Sequence, residues 1–287
     1  MQGTIGVLTT SKAHHDQLLA QVDGLSVGTV APHVHSVVSM GDRDLTRGRL
    51  PLGTDRWTTI VRPVETDRRA LPVAAARNLA AANAVEAGAD VLVFLDDTVI
   101  PGPHTLERLL AAVTGQDAAE EPVRAPVVWR APVLDLPPLA QDELVYPLGR
   151  LAEIALPVGG TPSLVPGQLE VDDRWSLFDG ACFAMSAEDF DRTGGFCTDY
   201  TGRGLQDADF AEVVRRAGGS LVWVGGADAY RQPGEPVDQE HQARHAVRHA
   251  QVWRQRWDDP PQHPWLARLQ AEGLVKATDL EERVGSV

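Results

Sequence analysis

Two adjacent acidic residues, Asp96 and Asp97, follow a largely apolar run over residues 90–95. Such a run is typical of a strand that is buried on both faces of a parallel sheet. Ligands of these sheets bind beyond the carboxyl ends of the strands. Two acids at one strand end repel each other unless a divalent cation or a basic side chain offsets their charge. The pair is therefore a candidate binding site, and the alternative interpretation is a strand-end turn or a helix cap.

A second pattern that could bind a metal is formed by three histidines. His241, His245 and His249 recur every four residues in a segment that is predicted to be helical over 237–257. Residues four apart lie on one face of a helix, so two of these side chains could share a zinc ion. No acid or open coordination position is evident nearby in the sequence. We therefore expect this histidine ridge to pack against the body of the protein.

The composition is that of a large globular protein. The chain has 287 residues, 43% of them hydrophobic, and a net charge of −14. The acidity argues against a nucleic-acid partner, which needs clustered Lys and Arg. Cys182 and Cys197 are too few for a disulfide framework, so we expect reduced thiols. No apolar segment reaches the roughly 20 residues of a membrane span, and the first twenty residues lack a signal-peptide core. The prediction is a cytoplasmic protein without a transmembrane segment.

The first half of the sequence alternates strand-like and helix-like patterns. Apolar runs predict strands over 4–10, 33–40, 57–64 and 90–95, and helical spacing predicts helices over 13–25 and 71–87. Gly88 stands where a helix commonly ends in the left-handed conformation. Strands that alternate with crossover helices form mostly parallel sheets, so the predicted fold class is α/β.

The second half is less regular. Residues 115–174 are rich in Pro, and we interpret them as an irregular insertion beside the sheet with a short helix near 148–154. Later patterns predict a strand over 179–185, a helix start at Ser186, a turn at Gly194 and Gly195, a helix over 206–217 and a strand over 220–224.

Five short blocks make the sequence resemble the family 2 nucleotide-sugar glycosyltransferases of the GT-A fold. They are AARN at 75–78, VFLDDTVIP at 93–101, GGF at 194–196, QDADFA at 206–211 after Gly202, and WVGGADAY at 223–230. The blocks occur in the family's order, and this combination is specific. The resemblance implies a mostly parallel sheet flanked by helices in a GT-A domain over 1–231. This domain would have a nucleotide-binding half (1–115) and an acceptor-facing half (116–231), followed by a C-terminal helical extension (232–287) packed on it.

The resemblance implies a nucleoside pocket in the first half of the chain. Thr9 and Thr10 at the end of the first strand and Asp42 after the second strand would line it. Arg77 would face the base or the diphosphate. Alternatively, Asp42 is only a turn residue, and Arg77 pairs with a surface carboxylate.

The acids of the two later blocks would carry the chemistry. Asp96 and Asp97 would lie at the donor, with Asp96 holding the ribose or the metal shell. Asp207 matches the general base of inverting members, which removes a proton from the acceptor hydroxyl during attack on the anomeric carbon. Its alternative role is that of a helix N-terminal acid stabilised by the macrodipole.

The sequence departs from the family at three positions. In the family, the acid at the position of Asp96 and a second acid two residues later hold Mn²⁺ or Mg²⁺. The second position is Thr98 here, and a neutral hydroxyl is a weaker ligand than a carboxylate. Relatives place a metal-binding His where this chain has Arg231, and a Glu where it has Gln206. Two explanations fit: the Arg231 guanidinium binds the diphosphate in place of the metal, or the site has lost catalysis.

The predicted function is transfer of a sugar, with inversion, from a UDP-, GDP- or dTDP-sugar to an unknown acceptor in the biosynthesis of a glycan. The alternative is a catalytically silent relative that binds a nucleotide or a partner enzyme without turnover. A Rossmann-type dinucleotide enzyme is disfavoured, because such enzymes have a Gly-x-Gly-x-x-Gly motif after the first strand. This chain has TTSK at 9–12 instead.

Overall fold

The computed structural model describes residues 3–66, 71–117, 119–141, 143–202, 204–234 and 239–281. The strands in these residues are β1 (Ile5–Ser11), β2 (Val34–Ser39), β3 (Thr58–Pro63), β4 (Val91–Leu95), β5 (Val99–Pro101), β6 (Val127–Arg130), β7 (Val133–Asp135), β8 (Leu169–Val171), β9 (Cys182–Ser186), β10 (Ser220–Val224) and β11 (Ala229–Arg231). The helices are α1 (His15–Val27), α2 (Arg43–Thr46), α3 (Val73–Glu86), α4 (Thr105–Val113), α5 (Leu151–Ile154), α6 (Ala187–Thr193), α7 (Gln206–Arg216), α8 (Gln239–Trp257), α9 (Pro264–Ala271) and α10 (Ala277–Glu281).

An eight-stranded sheet forms the centre of the molecule, in the order β3-β2-β1-β4-β9-β6-β10-β8. The four N-terminal strands are parallel to one another, as the alternating pattern predicts. Strand β9 runs antiparallel to both of its neighbours, β4 and β6. A second sheet, β5-β11-β7, has three strands. The α/β fold class with a mostly parallel sheet flanked by helices is therefore confirmed.

The Pro-rich region 115–174 is more regular than its sequence indicates. Its strand β6 lies between β9 and β10 in the middle of the large sheet, and β8 forms an edge of it. All four residues of β6 are buried. The interpretation of the whole region as an insertion beside the sheet was wrong for these strands, because Pro126 and Pro132 bracket a run too short to be distinguished from a loop. The predicted short helix is confirmed as a 3-10 turn at Leu148–Arg150 that continues into α5.

Helix α3 approaches the parallel strands closely because its inner face is alanine. Ala76, Ala80 and Ala84 are fully buried, and a Cβ added to Gly6 in β1 would lie 2.8 Å from the Cβ of Ala84. The Asn78 side chain of the same helix accepts a hydrogen bond from the Phe196 backbone N at 2.9 Å and donates to its O at 2.8 Å. This pairing holds α3 against the turn after α6.

The C-terminal helices α8 to α10 pack on the segment that leads into α7. Their apolar side chains form one cluster with Tyr200, Leu205 and Ala208; its buried members from these helices include Ala246, Ala250, Leu266 and Leu269. The histidine ridge takes part in this contact, since His245 is 8% and His249 0% exposed. The side chain of His241 lies outside the described residues. The predicted packing of the ridge therefore holds for its two described members.

Candidate functional site

A cleft of about 540 Å³ opens at the carboxyl ends of β1 and β4. It contains seven of the nine residues that the sequence assigns to the site, namely Thr10, Arg77, Asp96, Asp97, Thr98, Asp207 and Arg231. Lys12, His14, Gln206 and Gln232 also line it. Residues that are far apart in the sequence thus converge where ligands of parallel sheets bind.

The acid turn, which we define as residues 96–98, forms one end of the cleft. One carboxylate oxygen of Asp96 accepts hydrogen bonds from the Thr98 backbone N at 3.1 Å and from its hydroxyl at 2.7 Å. Both carboxylate oxygens of Asp97 lie 3.1 Å from Nδ1 of His14. Burial raises the pKa of Asp97, and the negative charge of Asp96 adds to the effect, whereas the bond to His14 opposes it. The expected basic partner of the acid pair is therefore a histidine.

A buried glutamine of α1 holds the acid turn from behind. Gln21 is fully buried, and its amide nitrogen donates to the backbone O of Asp96 at 2.7 Å and of Val99 at 3.1 Å. Its amide oxygen accepts from the Thr9 hydroxyl at 2.8 Å, and that hydroxyl lies 3.1 Å from Nε2 of His35. This neutral hydrogen-bonded chain connects two strands and a helix to the turn.

The assignment of Thr9 to the nucleoside pocket was wrong. Its side chain is 0% exposed and points into the buried chain with Gln21 and His35. Alternate residues of a strand face opposite sides of the sheet, so Thr10 lines the cleft while Thr9 does not.

Asp42 also lies outside the cleft lining. Its carboxylate caps α2 by accepting from the backbone N of Asp44 and Leu45, and it accepts from the backbone N of Ala13 at 2.9 Å. His15 Nε2 lies 2.7 Å from the same carboxylate. Burial opposes these hydrogen bonds, but together they lower the pKa of Asp42. These contacts agree with the alternative interpretation of Asp42 as a turn residue. Its carboxylate joins the loop after β1 to the loop after β2.

The base end, which we define as Arg77, Gly180 and Asp207, lies across the cleft. Arg77 forms an ion pair with one carboxylate oxygen of Asp207 and donates to the Gly180 backbone O at 3.2 Å. The other oxygen of Asp207 accepts from the Gly180 backbone N at 3.0 Å. The Arg77 guanidinium also lies 5.0 Å from the centre of the Phe196 ring. Arg77 thus holds Asp207 in place while it also lines the cleft, and its assignment to the base or diphosphate stays a prediction.

Arg231 brings a further positive charge to the cleft. It ends β11, donates to the Asp179 carboxylate at 2.9 Å, and lies 3.8 Å from that of Asp135. Burial disfavours its charged form, but the carboxylates of Asp179 and Asp135 outweigh burial and raise the pKa of Arg231. Its side chain remains 34% exposed and lines both the cleft and a smaller cavity of about 130 Å³.

The residues of the acid turn do not suit a divalent cation. Thr98 supplies a neutral hydroxyl that is donated to Asp96, both oxygens of Asp97 face His14, and Arg231 introduces a fixed cation into the same cleft. A hard divalent cation in proteins is held by several carboxylate, carbonyl or water oxygens. In the part of the chain that the structure describes, no three His, Cys, Asp or Glu side chains are grouped to hold a metal ion.

Several residues of the site escape recognition in the sequence. Gln21 stands on the apolar face of α1 beside the buried Leu18, Val22 and Leu25, and a polar residue in such a stripe is the signal that could have identified it. Lys12 and His14 follow directly after β1, so their position at a strand end was a usable signal. Nothing in the local sequence marks Gly180, because its role lies in its backbone.

Comparison with known proteins supports the fold. No protein-family model matches the chain, and no curated protein matches it significantly. Among solved structures, the mannosyltransferase PcManGT from Pyrobaculum calidifontis in complex with GDP-Man and Mn²⁺ matches with a TM-score of 0.57 and 17% identity, over 95% of this chain and 69% of that one.

Two further structures are similar at 12% identity and a TM-score of 0.56. GalNAc-T7 with UDP, GalNAc and Mn²⁺ matches 94% of this chain and 54% of its own. TarS from S. aureus, residues 1–349 in complex with UDP-GlcNAc, matches 85% of this chain and 66% of its own. This chain thus spans between about half and two thirds of these proteins' lengths. The eight-stranded sheet, the cleft at its strand ends and these likenesses together show that the chain has the GT-A glycosyltransferase fold.

Proposed function

We propose that the chain is an inverting glycosyltransferase that uses a nucleotide sugar and binds its diphosphate through basic side chains instead of a metal ion. The observation that carries this proposal is the division of one cleft of about 540 Å³ between the acid turn with its basic neighbours and the base end with Asp207. A transferase needs this separation, because the base must reach the acceptor hydroxyl while the leaving diphosphate is stabilised elsewhere.

The donor end contains the basic groups that a diphosphate requires. Lys12, His14 and Arg231 line the cleft with the acid turn. Arginine binds phosphate oxygens through two parallel hydrogen bonds and keeps its charge at any physiological pH. The neighbours' complexes with GDP-Man and UDP-GlcNAc support a nucleoside diphosphate sugar as the class of donor.

The base end supplies the proton acceptor. In the proposed reaction an acceptor hydroxyl oxygen bonds to the anomeric carbon, and the bond from that carbon to the diphosphate oxygen breaks on the opposite face. The hydroxyl proton goes to the Asp207 carboxylate, and the negative charge that remains on the diphosphate is taken up by the basic side chains. Each carboxylate oxygen has two acceptor sites, so the bonds from Arg77 and Gly180 leave capacity for this proton.

A catalytically silent, nucleotide-binding protein is the second candidate. The observation that favours it is the contact of both Asp207 oxygens with structural partners, Arg77 and the Gly180 backbone. In that case Asp207 would serve only to fix α7, and the protein would bind a nucleotide or a partner without turnover.

The acceptor and a cytoplasmic location remain predictions. A helix able to span a bilayer is not found among the described residues.

Calorimetric titration with UDP, GDP and dTDP, each with and without Mn²⁺, tests the proposal. We expect one of them to bind without Mn²⁺ and Arg231→Ala to abolish that binding. Arg215→Ala is the matched control, since it also removes an arginine–carboxylate pair, with Glu212, but lies outside the cleft lining. Binding that strictly requires Mn²⁺ would overturn the arginine-for-metal mechanism. The silent protein would be favoured if a nucleotide binds but the protein neither hydrolyses UDP-GlcNAc, GDP-mannose or dTDP-glucose nor transfers their sugar to an acceptor.

A further inference from the structure

His249 of α8 bridges the two ends of the short segment before α7. Its Nδ1 accepts a hydrogen bond from the Leu205 backbone N at 3.0 Å, and its Nε2 lies 2.9 Å from the Thr201 backbone O. A backbone N is always a donor and a carbonyl O always an acceptor, so the ring is neutral with its proton on Nε2. Both ring nitrogens are therefore committed to the backbone, and His249 does not share a zinc ion with its neighbours in the ridge.

Two glycines of this segment lie directly under the histidine ridge. A Cβ added to Gly202 would overlap the ring of His245, and a Cβ added to Gly204 would overlap the ring of His249. Trp265 of α9 also lies 3.1 Å from the Cβ position of Gly204. Glycine is required where a backbone approaches another group this closely. The C-terminal helices and the segment before α7 are thus fitted to each other.

A second connection ties α7 to the end of α8. One carboxylate oxygen of Asp209 accepts from Tyr200 at 3.1 Å, from Arg256 Nε at 2.9 Å and from Trp257 Nε1 at 2.8 Å. The Asp209 side chain is only 1% exposed. Because Leu205 precedes α7 and Asp209 is in its first turn, the two connections to α8 lie on either side of Asp207.

We propose that α8 positions the catalytic base, with His249 as the positioning residue that fixes the backbone at Leu205 and thereby the place of Asp207 in the cleft. This inference rests on the proposed function of Asp207. It assigns to the C-terminal helices a part in the active site, although none of the described side chains of α8 and α9 lines the cleft. A displacement of about 1 Å in a reacting group can lower a rate by about 100-fold, so a small shift of Leu205 has a measurable effect.

The test compares His249→Asn, His249→Gln and His249→Phe in the full chain. Asn can present an acceptor near the position of Nδ1, Gln can present a donor near that of Nε2, and Phe keeps the ring without either hydrogen bond. We measure hydrolysis of UDP-GlcNAc, GDP-mannose and dTDP-glucose, the affinity for UDP, GDP and dTDP, and hydrogen exchange of the Leu205 amide. For the Phe variant we expect kcat to fall about 100-fold, nucleotide affinity to stay within about twofold, and exchange at Leu205 to accelerate. The Asn variant should recover more activity than the Gln variant, because it keeps the bond to Leu205.

A merely structural role for His249 predicts another pattern. In that case the variants would unfold at lower temperature, but kcat measured well below that temperature would match the wild type, and this result would overturn the proposal. Failure of the proposed function is separately visible, because the wild type would then hydrolyse no donor. Hydrogen exchange tests the positioning role even if the wild type hydrolyses no donor. Unchanged protection of the Leu205 amide in His249→Phe would overturn that role.

Gly204→Ala is an independent probe that leaves His249 intact. The added methyl group meets the imidazole and should displace the backbone before α7, so we expect the same loss of kcat with unchanged nucleotide affinity. Gly149→Ala is the matched control, since a Cβ at Gly149 meets nothing within 4 Å. Equal kcat values for both alanine variants and the wild type would contradict the inference.

Discussion

The two ends of the cleft are held in place by different interactions. The acid turn is supported from behind by neutral groups, because Gln21 binds its backbone and connects it to Thr9 and His35. The base end is supported by an ion pair between Arg77 and Asp207 and by contacts to the C-terminal helices.

This difference shows how charge is distributed between support and ligand binding. At the acid turn the basic side chains line the cleft, where a negatively charged ligand can reach them. At the base end the arginine is itself part of the support. Under the proposed function, the basic side chains near the acid turn would bind the diphosphate, whereas the support at the base end holds one carboxylate at one position.

The largest effect is expected at the base end, where a substitution should lower the rate of catalysis without weakening nucleotide binding at the acid turn. Asp207→Asn should lower the rate of transfer or donor hydrolysis by about 10²- to 10⁴-fold, because the amide cannot accept the proton. Nucleotide affinity measured by calorimetry should stay within about twofold, since the acid turn is unchanged. Asp191→Asn, at an exposed position of α6, is the control. Equal rates for the wild type and Asp207→Asn would remove Asp207 from the mechanism.

Removing the ion pair should destabilise the base end. Arg77→Met leaves Asp207 without its cation in a site where the two side chains are 9% and 20% exposed. Breaking a buried pair costs about 3 kcal/mol, and urea unfolding measures this loss. Arg77→Lys keeps the charge but cannot reproduce both of the arginine's contacts, so its loss should be smaller. If Arg77→Met unfolds at the wild-type urea concentration, the pair contributes no net stability and the contrast between the two ends disappears.

Acid should weaken the support of both ends, because each support includes a buried neutral histidine, His35 behind the acid turn and His249 beside the segment before α7. Burial lowers the pKa of His35 and of His249 to about 4, from an ordinary value of 6.5. Below pH 6.5 the unfolded chain therefore binds protons that the folded chain does not. Stability falls until the pH reaches about 4, by about 3 kcal/mol for each histidine.

Urea unfolding between pH 7 and pH 4 checks this expectation. His249→Asn should remove the contribution of His249 to the pH dependence, about 3 kcal/mol, and His104→Asn, whose side chain is 57% exposed, should change the pH dependence little. A pH dependence that is identical in the wild type and His249→Asn would show that His249 is not a buried neutral group.

The smallest effect is expected at the neutral support of the acid turn. Gln21→Met should remove the hydrogen bonds that Gln21 donates to the backbone O of Asp96 and Val99 and the one that it accepts from the Thr9 hydroxyl, at a cost of about 2 kcal/mol. Nucleotide affinity should decrease as well, because the turn loses its fixed position. Gln17→Met, at a partly exposed position of the same helix, is the control. Lower stability with unchanged affinity would show that Gln21 supports the core and not the turn.

Elements with a strong local pattern could be predicted from the sequence. Strand β4 was recognisable because its whole run is apolar, and α3 because it is rich in Ala and ends before Gly88, which has a φ of 92°. Strand β6 was not recognisable, because its four residues between two prolines carry no periodicity. Its place in the sheet depends on pairing with β9 and β10, which are distant in sequence.

The sequence by itself determined the α/β class and the acid pair at a strand end, since these follow from residue type and local spacing. The resemblance to the glycosyltransferases added the departures Thr98, Gln206 and Arg231. Only the tertiary structure decided which side chains face the cleft and which support it. Arg77 and Asp207 are 130 residues apart, and Thr9 differs from Thr10 only in the face of the sheet to which it points. Such partnerships depend on strand register and on the closeness of helices, and these are properties of the packed chain.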